Sequence, residues 1–223
     1  NNNTQDVAAR LLFTNHVAQT LDELVEKLEP VSVHVLVDAN TASYVLPRLK
    51  SESKTIHDAK VIETGGYGDM HKNITTLSDI WQRLSDDGAT RRSLLINLGG
   101  GVITDMGAFA AATFKRGIPF VNIPTTLLGA VDASVGGKTG INFNSLKNEV
   151  GLFADAELVI ISTTFFRTLN SQELLSGYGE MLKHAMLTSP AMTDRLLKYD
   201  VTAYEPDSLL KLLKESVEVK CAY

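Results

Sequence analysis

The chain has 223 residues, a net charge of −5 and 44% hydrophobic residues. That is roughly one and a half domains at ~150 residues each, and enough apolar content to exclude a disordered chain. It has no long basic run to track a nucleic-acid backbone and no apolar stretch near the ~18 residues that span a bilayer. Its single cysteine, Cys221, excludes an internal disulfide framework.

The polar start, Asn1 to Asp6, lacks the apolar core of a signal peptide. It also lacks Met, so the chain is expected to begin downstream of the true start. A reducing, cytoplasmic compartment is the expectation. Leu11 to Phe13 reads as a short strand. Val17 to Leu28 has helical spacing, with Val17, Leu21, Leu24, Val25 and Leu28 on one side. Val31 to Val37 is β-rich and ends at Asp38-Ala39-Asn40, a turn-and-cap signal. A helix is predicted over Ala42 to Leu49, a strand over Lys60 to Glu63 and a glycine loop at Gly65, Gly66 and Gly68. Thr75 to Leu84 reads as a helix. The strand Leu94 to Leu98 feeds Gly99-Gly100-Gly101 and a helix over Val102 to Phe114. Strands at Phe120 to Ile123 and Leu158 to Ile161 follow.

This alternation predicts βαβ units, hence an α/β, Rossmann-like and mostly parallel sheet. After Ile161 the pattern is helical only: Glu173 to Leu187, Ala191 to Tyr199 and Ser208 to Lys220. The expected division is an α/β domain over residues 1–165 and the start of an all-helical domain over 166–223.

Three stretches could carry chemistry. In the first, a strand runs into three glycines and a helix at Asn97 to Asp105. Glycines let a phosphate approach the backbone, and the helix start offers unpaired N–H groups. Thr104 stands at the last glycine of the dinucleotide fingerprint, so a plain strand-to-helix turn reads equally well. The second, Gly136-Gly137-Lys138-Thr139, fails as a nucleotide-triphosphate loop because Asp132 replaces its first glycine. In the third, Glu180, Lys183 and His184 share one helix face, suited either to a metal or to a solvated charge pair. Gly177 and Gly179 in that helix imply close packing or ligand approach. His16, His34, His57 and His71 show no metal spacing, and His34 reads as structural.

Together these segments resemble the 3-dehydroquinate synthase family. The carrying residues are Gly99-Gly100-Gly101-Val102-Ile103-x-Asp105, Lys115-Arg116-Gly117, Ile123 to Leu128, Val131 to Gly140, Lys147-Asn148 and Gly177-x-x-Glu180-x-x-Lys183. The resemblance runs from Asp38 to about Lys183, more weakly to Lys220. It implies a catalytic NAD in the first domain. Asp38 and Asn40 would hold the adenosine ribose, and Asp69 and Lys72 match a Glu-x-x-Lys nucleotide contact, with Asp one methylene shorter. Gly100, Gly101 and Val102 would cradle the pyrophosphate; Asp105, Thr125, Thr126 and Leu128 would contact the nicotinamide half. Phe165, Thr168 and Leu169 match further nucleotide-lining positions.

The implied substrate is an anionic sugar phosphate, 3-deoxy-D-arabino-heptulosonate 7-phosphate. Lys138, Lys147, Asn148, Lys183 and Asp132 match substrate contacts, and Lys220 matches one more lysine. Arg116 matches an arginine that reaches a neighbouring subunit's phosphate pocket, which implies a homodimer. Glu180 matches a ligand of a divalent metal, zinc or cobalt, whose other two ligands are expected as histidines beyond Tyr223. Ser162 and Ala156 depart from the family's common Asp and Pro. The implied reaction is phosphate elimination and ring closure in the shikimate pathway to aromatic amino acids. The alternatives are a sibling sugar-phosphate cyclase, a polyol dehydrogenase of the glycerol dehydrogenase type and a non-catalytic nucleotide-binding remnant.

Overall fold

The computed structural model describes residues 10–66, 68–133 and 136–221, with the side chains of Ala133, Lys220 and Cys221 left outside the description. The expectations placed on Asn1 to Asp6, on Ser134-Val135 and on the Lys220 side chain therefore lie outside the described residues.

The alternating pattern folds as it reads. The first half runs β1 (Leu11–Phe13), α1 (Val17–Leu28), β2 (Val33–Val37), α2 (Ala39–Tyr44), α3 (Leu46–Glu52), α4 (Lys54–Asp58), β3 (Lys60–Glu63) and α5 (Ile74–Asp86). The second runs β4 (Leu94–Gly99), α6 (Gly101–Thr113), β5 (Phe120–Pro124), α7 (Leu127–Ala133), β6 (Ile141–Phe143), β7 (Leu146–Val150) and β8 (Leu158–Ile161), then α8 (Ser171–Thr188), α9 (Pro190–Lys198) and α10 (Pro206–Cys221).

Six strands form one parallel sheet in the order β1-β8-β5-β4-β2-β3. Both faces are covered, so β4 is buried along its whole length. Val35, Val37, Ile96 and Leu98 face one core with Leu21 of α1 and Leu49 of α3. Leu36 and Leu95 face the other, with Leu77 and Ile80 of α5 and Met106 of α6. The strand order reverses between β2 and β4, because β3 lies beyond one and β5 and β8 beyond the other. In such sheets the crevice beyond the strand ends at this switch point is the binding position.

Two elements differ from the expected pattern. The single helix expected over Ala42 to Leu49 is two, broken at Val45, because Pro47 sits in the first turn of α3 and has no N–H to continue α2. A third, α4, starts at Ser53, whose hydroxyl accepts from Ile56 N–H. The antiparallel hairpin β6–β7 was not expected. Its turn residues Asn144 and Ser145 have φ of 52° and 61°, the left-handed pair of a two-residue hairpin turn. Every residue of β7 is exposed, so no alternating apolar face marks it in the sequence.

The C-terminal helices share a third core with α7. Leu127, Ala130 and Val131 pack with Tyr178 and Met181 of α8, Leu196 of α9 and Leu213 of α10. Gly177 is required here: a Cβ would stand 2.5 Å from Leu128 N and 2.7 Å from Leu127 Cβ. Gly179 has nothing within 4 Å, so its Cβ direction is open space. Tyr178 Oη donates to Leu196 O at 2.6 Å, and burial pushes its pKa up to about 12.

His34 is fully buried, with Nε2 2.9 Å from Ser32 Oγ and Nδ1 4.0 Å from Asp87 Oδ2. Burial lowers its pKa below 6.5; the Asp87 charge opposes that shift and the Lys60 charge adds to it.

Two outcomes follow. Gly177→Ala should destabilise the fold by about 1–3 kcal/mol through overpacking, read by urea denaturation; unchanged stability would show that α7 and α8 separate freely. Folded His34 takes up its proton at lower pH than the unfolded chain does. Its contribution is therefore intact above pH 6.5 and lost as pH falls from there toward its depressed folded value. Denaturation at a series of pH values should show a shallower acid decline for His34→Gln than for the native chain, and equal slopes would contradict this assignment.

Candidate functional site

The site is assembled where β2, β4 and β5 end. Each strand delivers polar groups there because its successor starts at once. Asp38 caps α2, with Oδ1 accepting from Thr41 N at 2.8 Å and from Thr41 Oγ1 at 3.0 Å. The cap uses Oδ1 and leaves Oδ2 for a ligand hydroxyl. Gly100 precedes α6 and supplies no side-chain cap, so the first N–H groups of a thirteen-residue helix face outward unpaired. A Cβ on Gly101 would meet nothing within 4 Å. Open space, free N–H groups and the positive end of the helix dipole together suit a pyrophosphate.

A cavity of about 210 Å³ opens over this helix start. Asp38 and Asn40 line it at the β2 end, Gly100, Gly101 and Val102 at the α6 end. Thr125 and Thr126 come from the end of β5, Thr168 and Leu169 from the turn before α8. Nine residues anticipated as nucleotide contacts therefore line one cavity. Glu173 also lines it and was not anticipated. It forms a capping box with Asn170, so its sequence signature is that of a helix start alone.

A second cavity of about 730 Å³ shares Gly101 with the first. Asp105, Asp132, Lys138 and Asn148 line it, with His184 of α8 and Thr104 of α6. Lys72 stands behind its wall, 4% exposed. Its ammonium is 2.7 Å from Asp105 Oδ2 and donates to Asn148 Oδ1 at 2.6 Å. Asp105 thus reaches the hairpin through Lys72. Lys147, exposed on β7, lies 3.4 Å from Asp69 Oδ2. Burial raises the Asp69 pKa, but hydrogen bonds from Asn142 and Lys147 and the charges of Lys147 and Lys72 together outweigh it and bring it below 3.8.

Other anticipated residues sit apart from both cavities. Phe165 is buried in the sheet core beside Ile123 and Ile160. Leu128 is part-exposed on α7. Arg116 is exposed after α6, in a left-handed pair with Lys115 (φ of 67° and 49°). Lys183 lies 3.6 Å from Glu180 on α8, the charge pair that i, i+3 spacing allows. Glu180 is half-buried, and no group of three His, Cys, Asp or Glu residues placed to hold a metal occurs among the described residues. No described helix is long and apolar enough to cross a membrane.

The sequence profile described as 3-dehydroquinate synthase N-terminal matches residues 62–176. A 3-dehydroquinate synthase of Parabacteroides distasonis is 43% identical over 95% of the chain and 59% of the relative. The chain thus spans about 59% of the length of that relative. Among solved structures, a 2-deoxy-scyllo-inosose synthase complexed with carbaglucose-6-phosphate, NAD⁺ and Co²⁺ superposes with a TM-score of 0.81 at 21% identity, over 95% of this chain and 58% of that one. A glycerol dehydrogenase from Schizosaccharomyces pombe superposes with a TM-score of 0.68 at 16% identity, over 96% of this chain and 60% of that one. These two likenesses establish the shared fold.

Gly101→Ala tests the small cavity. The added methyl enters open space, so stability should stay within about 0.5 kcal/mol of the native chain. Affinity for NAD, read by calorimetric titration, should fall roughly tenfold or more. Undiminished affinity would place the dinucleotide elsewhere.

Proposed function

Since the chain belongs to the 3-dehydroquinate synthase family, we propose that it is the nucleotide-binding portion of an NAD- and divalent-metal-dependent 3-dehydroquinate synthase, a phosphate-eliminating lyase. The observation that carries this reading is the meeting of the two cavities at Gly101, one over an uncapped helix start and the other walled by Asp105, Lys138 and Asn148.

NAD fits the smaller cavity by its chemistry. N–H groups of α6 would bind the pyrophosphate, Asp38 Oδ2 a ribose hydroxyl, and Asp105 would lie toward the nicotinamide. When bound, NAD would supply the transient oxidation of one substrate alcohol. The carbon next to the resulting ketone is acidic, so its proton can leave and the phosphate ester at the neighbouring carbon can depart. After reduction of the ketone, ring opening and an intramolecular aldol addition would close the carbocycle. The chain's own residues bind and orient. Lys138 would face the substrate's anionic groups from the cavity wall. Lys147 and Asn148 would approach from the hairpin, and Asp132 from α7. Lys183 and Lys220 are proposed as further substrate contacts, and Arg116 as a contact across a homodimer. Glu180 is proposed as one metal ligand, for zinc or cobalt. One carboxylate is not a metal centre, and the described residues do not complete it.

The cations favour this reading over a simple polyol dehydrogenase. A neutral polyol has no use for Lys138 in the larger cavity or for Lys147 on the hairpin beside it. We place the reaction in the cytoplasm, on the shikimate route.

The test uses the full-length protein with NAD and a divalent metal. Inorganic phosphate should be released from 3-deoxy-D-arabino-heptulosonate 7-phosphate without net NADH. Lys138→Ala should lower kcat/KM by about 100-fold or more while leaving NAD affinity intact. NADH accumulation with glycerol and no phosphate release would contradict the reading.

A further inference from the structure

Asn142, in β6, lines neither cavity, yet it ties together three segments that do the work beside them. Its backbone N–H donates to Lys72 O at 2.8 Å. Its side-chain Nδ2 donates to Asp69 O at 3.3 Å. Its side-chain Oδ1 accepts from Asn148 N at 2.9 Å. One half-buried amide therefore joins β6, β7 and the 69–72 segment.

The third bond matters most, because Asn148 has φ of 53°. Asparagine tolerates that left-handed conformation better than most non-glycine residues, but it remains less favourable than the extended one and is selected by local contacts. Asn142 Oδ1 holds the Asn148 N–H in that conformation. Held so, Asn148 presents Oδ1 to Lys72 Nζ, whose other partner is Asp105. The contacts close into a ring: Asn142 to Asn148, Asn148 to the Lys72 side chain, and the Lys72 carbonyl back to Asn142. Asp105 of α6 hangs from that ring, and the neighbouring Lys147–Asp69 pair is braced by the same amide. From this geometry we propose that Asn142 is a positioning residue. It holds Asn148 and Lys147 in the orientation that receives the anionic substrate, without touching the substrate itself. The proposal rests on the functional reading above.

The experiment compares Asn142→Ala and Asn142→Asp in the full-length protein with NAD and metal. Aspartate keeps the acceptor for Asn148 N–H; alanine removes it. Asn142→Ala should lower kcat/KM for the heptulosonate phosphate by roughly 10- to 100-fold, the scale of a small misplacement. Asn142→Asp should recover most of that loss. NAD affinity should fall less than kcat/KM in both, since of the residues lining the smaller cavity only Gly68 adjoins the segments that Asn142 holds. Amide hydrogen exchange at Asn148 should quicken in Asn142→Ala and remain slow in Asn142→Asp. Should Asn142→Ala not fold, Asn142→Gln displaces the acceptor by one methylene and carries the same expectation.

Native-like kinetics in Asn142→Ala would overturn the proposal. So would equal impairment in Asn142→Asp, or loss of NAD affinity in step with turnover. If the native enzyme releases no phosphate, the functional reading fails and exchange alone decides. Quickened exchange at Asn148 in the alanine variant then keeps the positioning role, and unchanged exchange removes it.

Discussion

The arrangement depends on one buried cation. Lys72 carries its ammonium into the space between α6 and the β6–β7 hairpin, where its side chain is 6% exposed. A charge there is costly unless it is paired and hydrogen-bonded. Asp105 supplies the countercharge and Asn148 a second acceptor. The pairing does more than satisfy the lysine. Asp105 belongs to the helix at whose start the dinucleotide is proposed to bind, and Asn148 belongs to the hairpin beside the larger cavity. The Asp105 side chain is 42% exposed, so solvent screens the pair and removing one partner costs less than the ~3–5 kcal/mol of a fully buried one. The hairpin therefore has a defined place relative to α6, although nearly all of its own surface is exposed.

The sheet was legible because parallel strands buried on both faces read as continuous apolar runs. The strands at Leu11, Lys60 and Leu158 and the helix at Val17 have the bounds that periodicity predicts. The smaller cavity was legible in part. Glycines after a buried strand point to a phosphate site, but Thr104 left a plain turn equally open, and the motif resemblance decided between them. The hairpin was not legible, because its residues pair through backbone and polar side chains rather than an apolar face. Asn142 was missed for the same reason. An asparagine six residues before another carries no periodic signal until the Asn144-Ser145 turn folds the two arms together. Phe165 shows the converse, since a motif position suggested a lining residue and the structure places it in the core.

The helices after β8 are joined to the sheet by packing and by a polar clasp. Gly177 lets α8 lie against the start of α7, the helix that also carries Asp132. Asn15, after β1, accepts from Ser162 Oγ and Thr163 N and donates to Asp207 Oδ1 of α10. Thr163 Oγ1 donates to Pro206 O. Ser162 thus serves as a neutral donor at this joint. Glu180 and His184 are carried on α8, so the packing at Gly177 sets how that helix faces the larger cavity.

In the proposed arrangement the two cavities form one site, with a dinucleotide on the α6 start and Asp105 held between it and the hairpin by Lys72. A crystal structure of the full-length protein with NAD tests this most directly. It should show pyrophosphate oxygens on the N–H groups of Gly101 and Val102, the nicotinamide ring directed toward Asp105, and the Lys72 bridge to Asn148 intact. A dinucleotide bound away from the α6 start, or a hairpin that leaves Lys72 when NAD binds, would contradict the proposed arrangement.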